Sequence, residues 1–323
     1  MLKYVAKRIW EVIPTTVGIL LLTFVLFNVV GGSPAETILG KNATKESIAA
    51  FNHKWGYDKP LIIGMRDESR GVKGWWDSQF FRFVGDLAHG NLGYSIEHNE
   101  PVADILKRGV GPSLCLTVPI LIGGVIVALM LAMLSAAARG RWVDKAVLVG
   151  STVLMSVNYV VWVLLGQFML GYKAGLFPLW GCRSWFYFVL PVAIGIVSSL
   201  GVDVRFFRTA ILDEIYKPYV LTARAKGLSR TAILFRHVLR NAMIPIVTYV
   251  SLSIPYLFTG SLLLESFFGI PGLGSVSINA IHSADMAVVR SVVVLGALLY
   301  QFVNLATDLA YGFLDPRVRL SGK

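Results

Sequence analysis

Side chains able to do chemistry are sparse in this chain and, with one exception, scattered. The five histidines and two cysteines form no CxxC and no His/Cys cluster, so no metal site is expected. No Ser/His/Asp set and no paired carboxylates stand out as a catalytic constellation, and neither GxxxxGKS nor GxxxxGKT occurs. GIPGLG, beginning at Gly269, lacks the spacing and the lysine of a phosphate cradle and reads as a tight turn. His282 lies near Asp285, where ordinary surface pairing is expected. Asn304 and Asp308 are one helical turn apart in an apolar run. Carboxylates in such runs are functional candidates by default, but Asp308 reads as a partner for Arg317 or a loop arginine. The chain is therefore expected to be no enzyme and to hold no cofactor. The exception is EIYKPYVLTARAKGLSRTAILFRHVLRNAMIPIV, residues 214–247, a polar and strongly basic segment between two apolar runs. A pore or an anchor has no need of it, whereas a membrane subunit gripped and moved by a soluble partner does.

The segment's own chemistry predicts its shape. Pro218 suits a first helical turn, where its missing N–H is no loss. Residues 219–226 then form a short helix that ends at Gly227, the residue type best able to adopt a left-handed C-cap. Ser229 caps a second helix through Ile233, Leu234, Val238 and Leu239. Arg236 and Arg240, one turn apart, project from the same side. Two short helices bent at a glycine make a compact knob. Basic residues also suit a helix lying on anionic lipid, but the small Ala223 and Ala225 permit close approach and favour a protein groove.

The elements that must hold this knob are membrane spans. Hydrophobic residues make up 55% of the 323 and charged ones only 15%, with a mean hydropathy of +0.65. A soluble domain of this length carries more charge, so the excess apolar surface must face lipid. At about 20 apolar residues per crossing, six spans are expected, at residues 9–30, 113–138, 146–170, 185–202, 244–264 and 288–311. Placing the N-terminus inside collects more than half of the 30 Lys and Arg on the inner face. They come from the N-terminus (Lys3, Lys7, Arg8), the loop after span two (Arg139, Arg141, Lys145), the basic segment and the tail (Arg317, Arg319, Lys323). The net charge of +11 is thus a topology signal, and no nucleic-acid partner is expected.

The expected organisation is a first span (1–30), an outer insertion (31–112), a five-helix core (113–312) with an inner loop at 203–243, and an inner tail (313–323). The insertion is too long for a bare connector and should fold as a cap. Trp75, Trp76, Phe80, Phe81 and Phe83 belong to that cap's core or to the headgroup level. The first apolar run exceeds a signal h-region and has no small-x-small site after it, so it should remain as a span. Cys115 and Cys182 both fall near the outer face, where an oxidising compartment allows a disulfide, and are read first as two unrelated buried thiols.

TARAKGLSRTAILFRHVLRNAMIPIVT resembles the EAA-type coupling loop of ATP-binding-cassette importer permeases, in the dipeptide, oligopeptide and nickel branch. KRIWEVIPTTVGILLLTFVLF, LLLESFFGIPGLGSVSINAI and VNLATDLAYGFLDPRVR resemble the family's other segments, so the likeness covers nearly the whole chain except the insertion. Thr222, Ala223 and Gly227 fall on the motif's core, while its acidic position falls on Leu221. GGSPAE, Asn158 and Asn241 stand where prolines or a Pro-Gly-Asp-Pro turn are usual. The resemblance implies an all-α, type I importer permease in the bacterial inner membrane, with both termini cytoplasmic and the insertion periplasmic. It implies that Tyr219, Val220, Thr222, Ala223, Arg224, Ala225, Lys226, Gly227 and Leu228 couple to two ATP-binding subunits, which would hold the ATP and magnesium. A second homologous permease, a periplasmic solute-binding protein and membrane lipid are the other implied partners. Peptides are the implied cargo, with nickel chelates or glutathione as alternatives within the family. A secondary transporter or channel would instead show more midplane charges and broken helices in repeated halves.

Overall fold

Inside a bilayer no water is available to pair backbone N–H and C=O groups, so apolar runs of this length close their hydrogen bonds as helices. The computed structural model describes residues 2–30, 43–55, 57–62, 74, 76–95, 97–259 and 261–314, and every named element among them is helical. The rest of the expected insertion, including Trp75, lies outside the described residues. So does the tail with Arg317, Arg319 and Lys323, and so does the side chain of Asp308.

Among the described residues, four helices are long and apolar enough to cross a membrane, and the number reaches six if each of two bent pairs is one span. The four are α1 (Leu2–Val25, extended by a π-turn at Leu26–Val30), α4 (Val102–Ala137), α7 (Phe186–Ile215) and α14 (Met286–Leu314). Two others lie between α1 and α4, namely α2 (Lys45–Trp55) and α3 (Gln79–Ala88). The first bent pair is α5 (Trp142–Ser156) with α6 (Tyr159–Gly166) and the π-turn Gln167–Lys173. The basic segment contributes α8 (Pro218–Ala225), α9 (Arg230–Ala232), a π-turn at Ile233–Val238, and α10 (Leu239–Ser251). Then follow α11 (Ile254–Thr259), α12 (Leu262–Phe268) and α13 (Leu273–His282), the last two forming the second bent pair.

Several boundaries differ from the expectation. The second span begins at Val102, within the stretch expected as insertion, and the fourth runs unbroken to Ile215 instead of stopping at 202, so the first part of the 203–243 loop is helix. The third, expected straight over 146–170, bends by 93° after Ser156. There Asn158 takes an extended conformation and its side chain accepts a hydrogen bond from Val160 N at 2.9 Å, restarting the helix in a new direction. The fifth, expected over 244–264, is not one helix. Its chain breaks after Ser251, restarts with Pro255 in a first turn, and breaks again before Leu262. Cys115 and Cys182 are free thiols, but exposed on this chain rather than buried.

The chain divides into two compact units. The first comprises residues 1–108 and 276–323. In it α3, capped by Ser78, lays Phe80 and Phe83 against Phe24 of α1 and Val294 of α14. The Phe24 ring lies 5.5 Å from Phe80 and 5.9 Å from Phe83. Phe80 and Phe83 are thus core residues, while Trp76 is exposed. Asp285 is buried and does not form the expected surface pair with His282, which is exposed. Its carboxylate accepts from Ser95 Oγ at 2.5 Å and Val288 N at 3.4 Å, tying the loop after α3 to the start of α14.

The second unit, residues 109–275, carries the larger core. With no hydrophobic drive between helices in lipid, close packing decides. Gly201 of α7 sits against the backbone of α5, where a Cβ would lie 2.7 Å from the Ser151 carbonyl oxygen. The GIPGLG segment is the tight turn expected, an 84° bend opened by Gly269 at φ +61°. Glu265, unnoticed in the sequence, organises it. The buried carboxylate accepts from Ser113 Oγ at 2.8 Å, Gly274 N at 2.6 Å and Ser275 N at 3.1 Å, capping the free N–H groups of α13.

Gly201→Ala should force α5 and α7 apart and destabilise the protein by about 1–3 kcal/mol. Gly150→Ala, where a Cβ meets nothing within 4 Å, should be neutral or stabilising. Thermal melting of the two variants in detergent checks this. Equal melting would show that the α5–α7 contact does not limit stability.

Candidate functional site

The basic segment is held from both ends before it reaches its exposed surface. At its root, α7 carries Arg208 into a buried bracket. The guanidinium donates from Nε to Asp144 Oδ1 and from Nη2 to Asp144 Oδ2, each at 2.9 Å, and Nε also reaches Ser135 Oγ at 2.8 Å. Ser135 of α4 donates to the same carboxylate, and Gly140 N donates to its Oδ2 at 3.0 Å. A planar fork on a carboxylate is the strongest form of such a pair. Its four donors satisfy the acid fully, and three helices are locked where α7 leaves the core.

Beyond it the chain turns at Tyr216 and Lys217. The Arg139 guanidinium lies 4.9 Å from the centre of the Tyr216 ring. Tyr219 donates its hydroxyl to Glu214 at 2.7 Å, closing the turn. Burial pushes the Tyr219 phenol above its ordinary value, so it stays a neutral donor.

Helix α8 is the short helix expected, with Pro218 in its first turn. Gly227 N donates to the Arg224 carbonyl at 2.9 Å and Leu228 N to the Ala223 carbonyl at 3.3 Å, with Gly227 at φ +79°. This is the paired closure of a Schellman cap, which requires the left-handed residue between. Ser229 caps the next helix as expected, its Oγ accepting from Ala232 N at 3.2 Å. That helix runs through a π-turn directly into α10, so the knob and the following apolar stretch are one continuous element.

The nine expected coupling residues divide cleanly. Val220 and Ala223 are buried in the core with Phe207, Ile211, Ile233 and Val238, and Tyr219 is half-buried beside them. Thr222, Arg224, Ala225, Lys226, Gly227 and Leu228 are exposed. So are Leu221, Arg236, Arg240 and Phe235, the last at 59%. One face anchors the knob and the other presents apolar and basic side chains that none of the described residues covers. A Cβ on Gly227 would meet nothing within 4 Å. Asp144 and Ser135, which fix the root, gave no sequence signal, because an acid in a first helical turn is ordinary.

Residues 124–320 match the family described as binding-protein-dependent transport system inner membrane component, and residues 1–117 match that family's N-terminal region. Among curated proteins, the glutathione transport system permease protein GsiC of Salmonella paratyphi A is 31% identical over 320 residues, covering 99% of each chain. GsiC of Escherichia coli K12 is 30% identical over 320 residues, and that of Shigella flexneri serotype 5b 30% over 322, each with 99% of both chains covered.

Removing one partner of the bracket leaves a buried charge alone. Asp144→Ala or Arg208→Ala should each cost about 3–5 kcal/mol. The double substitution Asp144→Ala with Arg208→Ala should cost much less than the sum, read as detergent melting in a double-mutant cycle. Additive losses would mean the two groups do not act as a pair.

Proposed function

We propose, from the premise that this chain belongs to the family of binding-protein-dependent transport system inner membrane components, that its basic knob transmits the ATPase stroke to the membrane helices. The chain is the permease subunit of an ATP-binding-cassette importer, a multi-pass protein of the bacterial inner membrane. It supplies half of a translocation path, and a second homologous permease supplies the other half. Two cytoplasmic ATPase subunits grip Thr222, Arg224, Ala225 and Leu228, and a periplasmic solute-binding protein delivers cargo. Six spans with both termini in the cytoplasm put the knob on the ATPase side and the insertion on the delivery side. ATP and magnesium are bound by the partner subunits.

The single observation that carries this reading is the division of the knob into a buried and an uncovered face. A lever must be rigid towards the helices it moves and accessible to what moves it. Val220 and Ala223 supply the first property, while Leu221, Leu228 and Phe235 supply the second. Because α9 runs on into α10, a push on the knob is delivered at once to the following helix. The cargo is a peptide or peptide-like solute. Glutathione is the first to test, because it appears in the names of the relatives.

A cysteine at Ala225 should cross-link to the ATPase subunit, with a yield that changes on adding ATP. Gly227→Trp should cost the strain of a left-handed non-glycine residue, about 1–2 kcal/mol, since none of the described residues lies within 4 Å of a Cβ there. It should nonetheless abolish uptake, because the indole collides with the partner. Normal uptake by an inserted Gly227→Trp protein would refute the coupling role.

A further inference from the structure

Within the second unit, α4, α6, α7, α10 and α12 surround a cavity of about 400 Å³. That is within the ~300–1,000 Å³ range of small-molecule sites. Its wall is not uniformly apolar. Hydroxyls of Thr117, Tyr159, Ser199, Ser253 and Ser261 face it, together with one carboxylate, Asp203 of α7. Gly124 and Gly195 also line it.

Asp203 is the unexplained group in this wall. It is half-buried on a helix long and apolar enough to cross a membrane. It accepts from Tyr249 Oη at 2.9 Å, and the Ser199 hydroxyl also reaches it. No cation pairs with it among the described residues. The nearest arginines along α7 are otherwise engaged. Arg208 is committed to Asp144, and Arg205 is exposed and directed at the Met155 sulfur, 3.7 Å away. Hydroxyl donors lower the cost of a carboxylate in such a place but supply no countercharge. Carboxylates are expensive inside membranes and are rarely kept there without a partner.

We propose that this cavity receives the positively charged amino group of the transported solute, with Asp203 as its counterion. An ammonium has three donors and no acceptor, and the cavity offers it a carboxylate held by Tyr249 and Ser199, with Thr117, Tyr159, Ser253 and Ser261 elsewhere on the same wall. The Tyr249 ring, stacked 4.4 Å from Phe206, holds its hydroxyl on the carboxylate, so the acid is oriented before the solute arrives. The assignment rests on the reading of the chain as a peptide importer and narrows it to solutes that keep a free amine.

The test uses the assembled importer, with both permeases, the ATPases and the binding protein, in lipid nanodiscs. Dicyclohexylcarbodiimide labelling of Asp203 is followed by peptide mass spectrometry with millimolar glutathione or alanylalanine present, each against its N-acetyl form. Free-amine solutes should slow labelling about tenfold, the scale of one charge-assisted contact, and the acetylated forms should not. In proteoliposomes, Asp203→Asn should lose uptake by a similar factor while binding-protein-stimulated ATP hydrolysis persists, and Asp203→Glu should retain uptake. Equal protection by both forms, or by neither, together with normal uptake by the wild type, overturns the assignment alone. Failure of the wild-type complex to take up either free-amine solute overturns the peptide-importer reading and this assignment with it.

Discussion

The ion pair between Arg208 and Asp144 is the fixed point of the second unit. It joins α7 to α5, and through Ser135 to α4, at the place where the chain leaves the apolar core. Every oxygen of the acid is hydrogen-bonded, which is the condition under which a buried pair holds structure instead of weakening it. Were it absent, the end of α7 would be held only by the apolar packing of Phe207, Ala210 and Ile211.

Rigidity elsewhere comes from packing rather than from hydrophobic drive. Gly201 lets α7 touch the α5 backbone, and the interior of the second unit is built largely from alanines and branched aliphatics. Where helices stop inside apolar sequence, a polar group satisfies the freed backbone. Asn158 does so at the α5–α6 bend and Glu265 at the start of α13. These bends are therefore built joints.

The sequence made the class, the basic segment and its internal geometry legible. Pro218, Gly227 and Ser229 act through local rules, and each is found in the role its residue type dictates. The errors fall where local pattern and tertiary contact part. Hydropathy counts apolar residues without regard to direction, so it drew a straight span through Asn158 and another through Ser251 and Ser253. The fourth span, expected to end at Val202, continues as helix to Ile215. The pairing of Asp144 with Arg208 crosses 64 residues, and that of Glu265 with Ser113 crosses 152. No spacing rule reaches so far. The partner of Asp285 is equally out of local reach, since Ser95 lies 190 residues away while the neighbouring His282 is exposed.

The core of Phe24, Phe80, Phe83 and Val294 draws on both extremes of the chain. A ribosome delivers these residues in order, so α1 and α3 emerge long before the helix that completes their contact. Through most of synthesis the first membrane helix must rest in lipid or against an insertion factor with its packing surface unmatched. The first unit therefore closes only at the end of translation. A nascent chain that stalls before Val294 can already carry the whole second unit while its first unit is still open, a natural mark by which a membrane protease could tell unfinished copies from finished ones.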